Sequence, residues 1–175
     1  MSLKRKGLIK IGDQEMTVVG PDIQVGQKAP EFKAHTQNWE TFSGLADTQG
    51  KVRVIAALPS LETSVCDRET RRFNEAAASL DTEIVILAVS TDLPYTQKRW
   101  CGAAGIDQVI TLSDHQKAKF GKKYGCLVKE RRILRRAVFV VDRADMVVYA
   151  AYMPALGDEP DYDAVLEAAK QALRG

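Results

Sequence analysis

The chain has 175 residues, of which 25 are Lys or Arg and 23 are Asp or Glu, so its formal net charge is only +2. This length is typical of one domain, which we take to span 1–175, and a nearly neutral charge argues against binding to nucleic acid. The three cysteines are too few, and odd in number, to form the disulfide framework of a small secreted protein.

The N-terminal segment, residues 1–20, has a basic start, and polar residues interrupt its apolar ones every few positions. It lacks the apolar core of a signal peptide, and no stretch of the chain approaches the roughly 18 apolar residues of a membrane helix. We therefore expect a cytoplasmic protein that does not contact membranes. Within this segment, the apolar runs LIKI and MTVV flank the polar GDQE, which predicts an N-terminal β-hairpin.

Further along the chain, VGQKAPEF contains Gly26 and Pro30 and predicts an extended connection. Short apolar runs bounded by turn residues then predict the strands of a central sheet. These runs are VRVIAAL (52–58), EIVILAVS (83–90), QVITL (108–112), AVFVVD (137–142) and MVVYAAYM (146–153). The last two flank RAD and predict a hairpin.

Helical patterns separate these runs. An apolar stripe predicts a helix within 65–80, while Pro94 fits the first turn of a second helix and Gly105 its end. The segments 115–125, which is basic, and 161–173, whose charges suit the helix dipole, predict two more helices. Strands that alternate with helices indicate an α/β fold, and the final hairpin makes the central sheet mixed. The pattern is compatible with a thioredoxin-like core, flanked by helices, that carries the hairpin 1–20 as an extension.

The stretch PSLETSVC (59–66) places a cysteine where the strand 52–58 turns into a helix. Thr63 or Ser64 can cap that helix, and Ser64 and Asp67 have the spacing of a capping box, so we expect Asp67 to be a cap partner. Cys66 then lies in the first helical turn, where the helix dipole favours a thiolate and can lower a thiol pKa from about 8.5 to about 3.5–7.5. A cysteine in such a place can also be a small buried hydrophobe, and position alone does not decide between the two.

The neighbouring residues favour the reactive thiol. Pro59, Thr63 and Cys66 form P-x-x-x-T-x-x-C directly after a strand, which resembles the active-site signature of the peroxiredoxins. Together with RRFN at 71–74, the stretch is similar to one subgroup, the thiol peroxidases, which are atypical two-cysteine peroxiredoxins. Other segments resemble the same subgroup, so that the similarity covers nearly the whole chain apart from 115–135; they are the N-terminal hairpin, 89–114, 136–142 and 159–170.

This resemblance implies a role for each residue of the signature. Cys66 would attack the peroxide, Thr63 would offer its hydroxyl to the thiolate and peroxide, and Pro59 would shield the pocket. Arg136 would approach the thiolate from a neighbouring strand and stabilise negative charge there. It lies in the basic run KERRILRR, and such runs are usually solvated, so Arg135 is the alternative if the register is shifted.

The resemblance also assigns a role to Cys101, which lies 35 positions after Cys66. Cys101 would resolve the Cys66 sulfenic acid as an intramolecular disulfide. Because a disulfide needs Cα atoms within roughly 7 Å of each other, we expect local unwinding of both helices. Cys126 matches no family residue and is interpreted as a bystander.

The family further implies hydrogen peroxide or an alkyl hydroperoxide as substrate, thioredoxin as electron donor, and a homodimer. The chain has no flavin or nicotinamide motif, and we expect no cofactor. Three other functions remain open at this stage. They are a zinc site made from Cys66, Cys101, Cys126 and His115, a redox-inert binding module, and a thiol–disulfide oxidoreductase that acts without peroxide.

Overall fold

The computed structural model describes all residues, 1–175, as eleven strands, four α-helices and a 3₁₀ turn at Ala46–Thr48. The strands are β1 Lys4–Ile11, β2 Gln14–Val19, β3 Lys33–His35, β4 Thr41–Ser43, β5 Val52–Ala57, β6 Ile84–Ser90, β7 Ile110–Ser113, β8 Leu127–Val128, β9 Ile133–Leu134, β10 Ala137–Val141 and β11 Val147–Tyr152. The helices are α1 Ser64–Ala77, α2 Pro94–Ala104, α3 Lys119–Lys123 and α4 Tyr162–Arg174. None of these helices is long and apolar enough to cross a membrane.

Seven strands form the central sheet in the order β11-β10-β5-β6-β7-β3-β4. The strands β5, β6 and β7 are parallel, whereas β10 pairs antiparallel with β5 and β3 pairs antiparallel with β7. Every residue of β5 is buried, as expected for a central strand covered on both faces. The predicted α/β class with a mixed sheet is therefore confirmed.

Helices cover both faces of this sheet, and each face has its own apolar core. Side chains alternate between the two faces along a strand, so Val54 and Ala56 of β5 belong to one core, and Ile55 and Ala57 to the other. The first core also contains residues of α1, α2 and α4, and both Cys66 and Cys101 lie in it. Both thiols are therefore held on one side of the sheet.

A second sheet of four strands, in the order β1-β2-β8-β9, contains the predicted N-terminal hairpin. The strands β8 and β9 are too short for a sequence pattern to reveal them, and so are β3 and β4 of the central sheet. Because β8 and β9 pair with the hairpin and with each other, the chain leaves the second sheet at Leu134 and enters β10 at Ala137. This path fixes the directions in which the side chains of Arg135 and Arg136, the two residues between these strands, point.

The prediction of a helix over 115–125 was wrong in extent, because only Lys119–Lys123 is helical. The buried carboxylate of Asp114 accepts hydrogen bonds from the backbone N–H groups of Phe120 and Gly121, which ties the loop after Asp114 to the first turn of the helix. Ala118 adopts a left-handed conformation at φ 48°, which ends any helix that would begin at residue 115.

Candidate active site

The turn between β5 and α1 carries the signature residues. Pro59 is buried directly after the strand, and Thr63 is the N-cap of α1, where its Oγ1 accepts a hydrogen bond of 3.4 Å from the backbone N–H of Cys66. Cys66 is therefore the third residue of the helix, within the turn whose N–H groups have no intrahelical partner. The Thr63 hydroxyl donates to the Ser60 carbonyl oxygen at 3.0 Å and does not hydrogen-bond to the sulfur.

The expected capping box between Ser64 and Asp67 was wrong. The helix begins one residue earlier than that motif requires, because Thr63 occupies the N-cap and Ser64 is the first helical residue. The Asp67 carboxylate instead accepts a hydrogen bond of 3.0 Å from Trp100 Nε1 and forms an ion pair of 2.8 Å with Arg71. The Asp67 carboxylate is therefore neutralised by Arg71 and does not cap the helix.

The sulfur of Cys66 is buried and has one cationic neighbour. Arg136 Nη2 lies 3.2 Å from Cys66 Sγ and also donates to the Leu156 carbonyl oxygen at 2.9 Å. The opposite edge of the same guanidinium forms an ion pair with Glu69, which is fully buried. The cation therefore stands between a thiol and a carboxyl group, both shielded from solvent.

Arg135 and Arg136 are adjacent and both buried, yet they lead to opposite sides of the sheet. Arg135 donates to the Gly125 carbonyl oxygen, pairs with Asp22 and packs its guanidinium 4.0 Å from the centre of the Tyr152 ring. These contacts hold the Arg135 guanidinium away from Cys66. The structure thus brings Arg136, and not Arg135, to the thiol.

Cys101 lies on α2 in surroundings that contain no cation. Its sulfur is 3.7 Å from Thr111 Oγ1, which accepts a hydrogen bond of 2.7 Å from the Gln37 side chain. Burial raises the pKa of the Cys101 thiol, and the hydrogen bond with Thr111 offsets part of that effect. Cys66 and Cys101 are both free thiols that contact different partners.

Side-chain contacts join the helices that carry the two thiols. Besides the bond from Trp100 Nε1 to Asp67, Arg71 of α1 donates to the Ala104 carbonyl oxygen at the end of α2. Trp100 directly precedes Cys101, and Asp67 directly follows Cys66. We call the group Asp67, Arg71 and Trp100 the interhelical clasp.

Asp92 anchors the loop before α1 to the loop before α2. Its carboxylate accepts from Ser60 Oγ at 2.7 Å, from the Leu61 backbone N–H at 2.9 Å and from Ser90 Oγ at 2.7 Å. Sequence reasoning did not single out this residue, because two of its three partners, Ser60 and Leu61, lie about 30 positions earlier in the chain. The anchor keeps the turn 59–63 against the start of α2.

Glu69 is a second residue that the sequence reasoning did not select. Burial raises its pKa from 4.5 to about 7, although the Arg136 charge acts in the opposite direction. A signal was available, since Cys66, Glu69 and Phe73 fall at i, i+3 and i+7, on one face of the helix. A glutamate on the apolar face of a helix needs a partner, and Arg136 is that partner.

Cys126 is fully buried in the other core, where its sulfur donates to the Tyr124 carbonyl oxygen at 3.3 Å. Burial raises the pKa of the Cys126 thiol to about 12. The structure contains no group of three His, Cys, Asp or Glu side chains placed to hold a metal ion. Cys126 and Cys66 lie on opposite faces of the sheet, so the arrangement does not support the four-ligand zinc site.

Comparisons with known proteins agree on one family. The profile of the Redoxin family matches residues 24–166. A thiol peroxidase of Halalkalibacterium halodurans is 48% identical over 158 residues, which cover 90% of this chain and 94% of that protein. A thiol peroxidase of Bacillus subtilis is 47% identical over 159 residues, which cover 91% and 94% of the two chains.

Solved structures show the same fold. A peroxiredoxin-like protein from Aquifex aeolicus superposes with a TM-score of 0.85 at 34% identity, and the match covers 98% of each chain. A thiol peroxidase from Chromobacterium violaceum superposes with a TM-score of 0.80 at 21% identity, over 95% of this chain and 97% of the other. These likenesses confirm the predicted thioredoxin-like core.

Proposed function

The chain belongs to the Redoxin family and is a thiol peroxidase of the peroxiredoxin type, and on that premise we propose that Cys66 is its peroxide-reducing thiol and Cys101 its resolving thiol. The observation that carries the proposal is the Arg136 guanidinium 3.2 Å from Cys66 Sγ, at the N-terminal turn of a 14-residue helix. A fixed cation and a helix N-terminus both favour the thiolate, which is the nucleophilic form of cysteine.

In the first step, the Cys66 thiolate attacks the terminal oxygen of a hydroperoxide. The sulfur–oxygen bond forms, the oxygen–oxygen bond breaks, and the leaving alkoxide or hydroxide takes up a proton, which leaves Cys66 as a sulfenic acid. Arg136 stabilises the negative charge that passes from sulfur to oxygen. Thr63 contributes by capping the helix at Cys66 and Pro59 by covering the turn, while the Thr63 hydroxyl can turn from the Ser60 carbonyl toward the peroxide.

In the second step, the Cys101 thiol attacks the sulfenic sulfur, and a disulfide and water are formed. The Cys101 sulfur contacts Thr111 and not Cys66 in the folded protein, so the step requires the first turn of α1 and the end of α2 to unwind locally. The interhelical clasp and the Asp92 anchor are the contacts that must break for this to happen.

A thiol reductant then regenerates the two thiols. We propose thioredoxin for this role, a homodimer as the assembled form, and alkyl hydroperoxides as well as hydrogen peroxide as substrates. The apolar side chains around Cys66, which belong to the core shared by α1, α2 and α4, are compatible with an alkyl group on the substrate.

A peptide map tests the assignment. The reduced protein is treated with one equivalent of hydrogen peroxide, digested without reductant and examined by mass spectrometry. We expect a disulfide between Cys66 and Cys101 within one chain, and its loss after treatment with reduced thioredoxin. Sedimentation velocity of the same sample is expected to show a dimer, and a monomer alone would contradict that part of the proposal.

Three other results would change the proposal. A Cys66 sulfenic acid beside a free Cys101 would keep the peroxidase chemistry and would require a different resolving thiol. No reaction at Cys66 would contradict the assignment of the nucleophile. A protein that exchanges disulfides with substrates at the same rate with and without peroxide would be a thiol–disulfide oxidoreductase instead.

A further inference from the structure

Glu69 and Cys66 are two acidic groups that contact the same guanidinium, that of Arg136. All three side chains are buried, at 1% exposure or less. If Cys66 and Glu69 were both ionised, two negative charges would face one positive charge in a site without solvent, and such an arrangement is costly. Two acids that face one cation at close range titrate as a coupled pair.

A second observation indicates which form Glu69 takes when Cys66 is a thiolate. Glu69 Oε2 bonds with Arg136, whereas Glu69 Oε1 is buried and has no hydrogen-bond partner in the protein. A charged carboxylate oxygen buried without a donor is strongly disfavoured, and protonation at that oxygen removes the charge. Burial also raises the pKa of Glu69 to about 7, so its protonated form is accessible at neutral pH.

We propose that Cys66 and Glu69 hold one proton between them against Arg136, and that oxidation of Cys66 moves the negative charge to Glu69. This inference rests on the proposed function, since it needs Cys66 to be the sulfur that reacts. In the step, the thiolate sulfur gives two electrons to the terminal peroxide oxygen, and the oxygen–oxygen bond breaks. The alkoxide that leaves gains one proton, and the Glu69 carboxyl group loses one.

The step is therefore balanced within the site. Thiolate, hydroperoxide and carboxylic acid become sulfenic acid, alcohol and carboxylate, with one negative charge beside Arg136 before and after. Arg136 remains neutralised throughout, since the sulfenic acid is uncharged and the new carboxylate replaces the thiolate as its counterion. Glu69 is thus a positioning residue for Arg136 and the proton reserve of the peroxidase step.

Few other ionisable groups face Glu69. Arg136 approaches it from β10, and Cys66 lies one turn earlier on its own helix. Glu159 acts on it from the segment before α4, and its negative charge raises the Glu69 pKa further. Tyr162 of α4 faces it as well, and burial raises the pKa of that phenol, which therefore stays uncharged near neutral pH.

The test counts protons during a single oxidation. Reduced protein is mixed with one equivalent of hydrogen peroxide in weakly buffered solution at pH 7, and a pH indicator records proton uptake for each Cys66 oxidised. The wild-type protein should take up close to no protons. The isosteric variant Glu69→Gln keeps an acceptor for Arg136 but cannot ionise, so it should take up close to one proton per sulfur.

Two further readouts separate this role from a purely structural one. Thiolate absorbance near 240 nm should titrate with a lower midpoint in Glu69→Gln than in the wild type, because Cys66 then no longer competes with Glu69 for the one negative charge beside Arg136. Infrared difference spectra of the wild-type protein should lose a carboxylic-acid carbonyl band on oxidation, and this measurement needs no variant if Glu69→Gln does not fold. Glu75→Gln is the matched control, because it removes an exposed carboxylate of the same helix that does not act on Glu69, and it should behave like the wild type in all three measurements.

The outcomes separate the two proposals. One proton taken up by the wild-type protein, or the same uptake by wild type and Glu69→Gln, would overturn the inference while the oxidation of Cys66 still supported the proposed function. An unchanged carbonyl band would overturn it as well. If Cys66 did not react with peroxide at all, the proposed function would fail and the inference would fail with it.

Discussion

The two thiols on the same face of the central sheet have different electrostatic surroundings: one has a cation beside it, and the other has a neutral hydroxyl. Cys66 lies at the start of a helix with a guanidinium 3.2 Å from its sulfur, whereas Cys101 lies inside a helix beside the hydroxyl of Thr111. Both are nearly inaccessible to solvent, so burial does not distinguish them. What differs is the presence of a fixed positive charge.

This difference fits a division of labour between the thiols. A thiolate reacts with peroxide and a neutral thiol does so poorly, so in the proposed mechanism the cation at Cys66 would direct peroxide to that sulfur. Burial raises the pKa of the Cys101 thiol and keeps it in the neutral form until the helices open. In the proposed mechanism Cys101 would then react only with the sulfenic acid, and variants of either thiol's surroundings can test this comparison.

The largest expected effect comes from removing the second thiol. In Cys101→Ser, disulfide formation should be lost completely and turnover with thioredoxin should stop, because the remaining thiol, Cys126, is buried on the other face of the sheet and cannot resolve the sulfenic acid. The single-turnover rate of Cys66 oxidation should stay within about twofold of the wild-type rate, since Cys101 lies outside the charged cluster. Rapid-quench mass spectrometry measures both steps in one experiment.

Cys126→Ser is the control for that variant, because it removes the thiol of the other core and should leave disulfide formation intact. A disulfide to Cys126 in the Cys101→Ser protein, or continued turnover, would show that Cys101 is dispensable. If Cys66 oxidation in Cys101→Ser were slowed tenfold or more, the reactivity of Cys66 would depend on the side chain at position 101.

The next largest effect is expected at the cation. Arg136→Met should slow the second-order reaction of Cys66 with hydrogen peroxide by about 10²- to 10³-fold, the usual cost of losing one preorganised group that stabilises developing charge. Stopped-flow kinetics of the reduced protein measures it. Arg135→Met is the matched control, because it removes the neighbouring buried arginine from the other face of the sheet.

Arg135→Met should lose stability, since the ion pair of the buried guanidinium with the partly exposed Asp22 and its hydrogen bond to the Gly125 carbonyl oxygen are lost, while the folded protein keeps the wild-type rate constant within about twofold. Equal losses of rate in the two variants would mean that the arginines act through stability alone. A wild-type rate in Arg136→Met would show that the positive charge beside Cys66 does not cause its reactivity with peroxide.

The smallest expected effect concerns the interhelical clasp, which joins the helix that carries Cys66 to the helix that carries Cys101. Trp100→Phe removes the hydrogen bond from Trp100 Nε1 to Asp67 in the interhelical clasp. A net contribution of about 0.5–1.5 kcal/mol from that bond corresponds to disulfide formation that is about 2- to 12-fold faster, because the helices unwind more easily. Cys66 oxidation itself should be unchanged.

Trp39→Phe is the control, since it alters the other tryptophan, which packs against Tyr95 and His115 away from the clasp. Rapid-quench measurement of the disulfide separates the two steps in both variants. A disulfide that forms at the wild-type rate or more slowly in Trp100→Phe would mean that the clasp does not control the opening.

Much of the fold could be predicted from residue patterns. The long apolar runs and the helix signals at Pro94 and Gly105 are properties of consecutive residues, and the structure places strands and helices there. The short strands β3, β4, β8 and β9 could not be predicted, since two or three residues carry no period. The helix over 115–125 failed because a carboxylate from outside the pattern, that of Asp114, ties the loop that follows it to the first turn of a shorter helix.

The sequence by itself determined the strand-to-helix turn and the cysteine in the first helical turn, and it limited the helix cap to Thr63 or Ser64. These features depend on residues within a few positions of each other, so local geometry follows from their order. Tertiary structure decided between Arg136, which the family resemblance favoured, and Arg135, and it alone showed that Glu69 shares the arginine and which groups surround Cys101. Arg136 and Cys66 are 70 positions apart, and a shift of one residue in β10 would turn Arg135 toward the thiol instead. Strand register and the packing of α1 on the sheet set such contacts, and neither can be read from neighbouring residues.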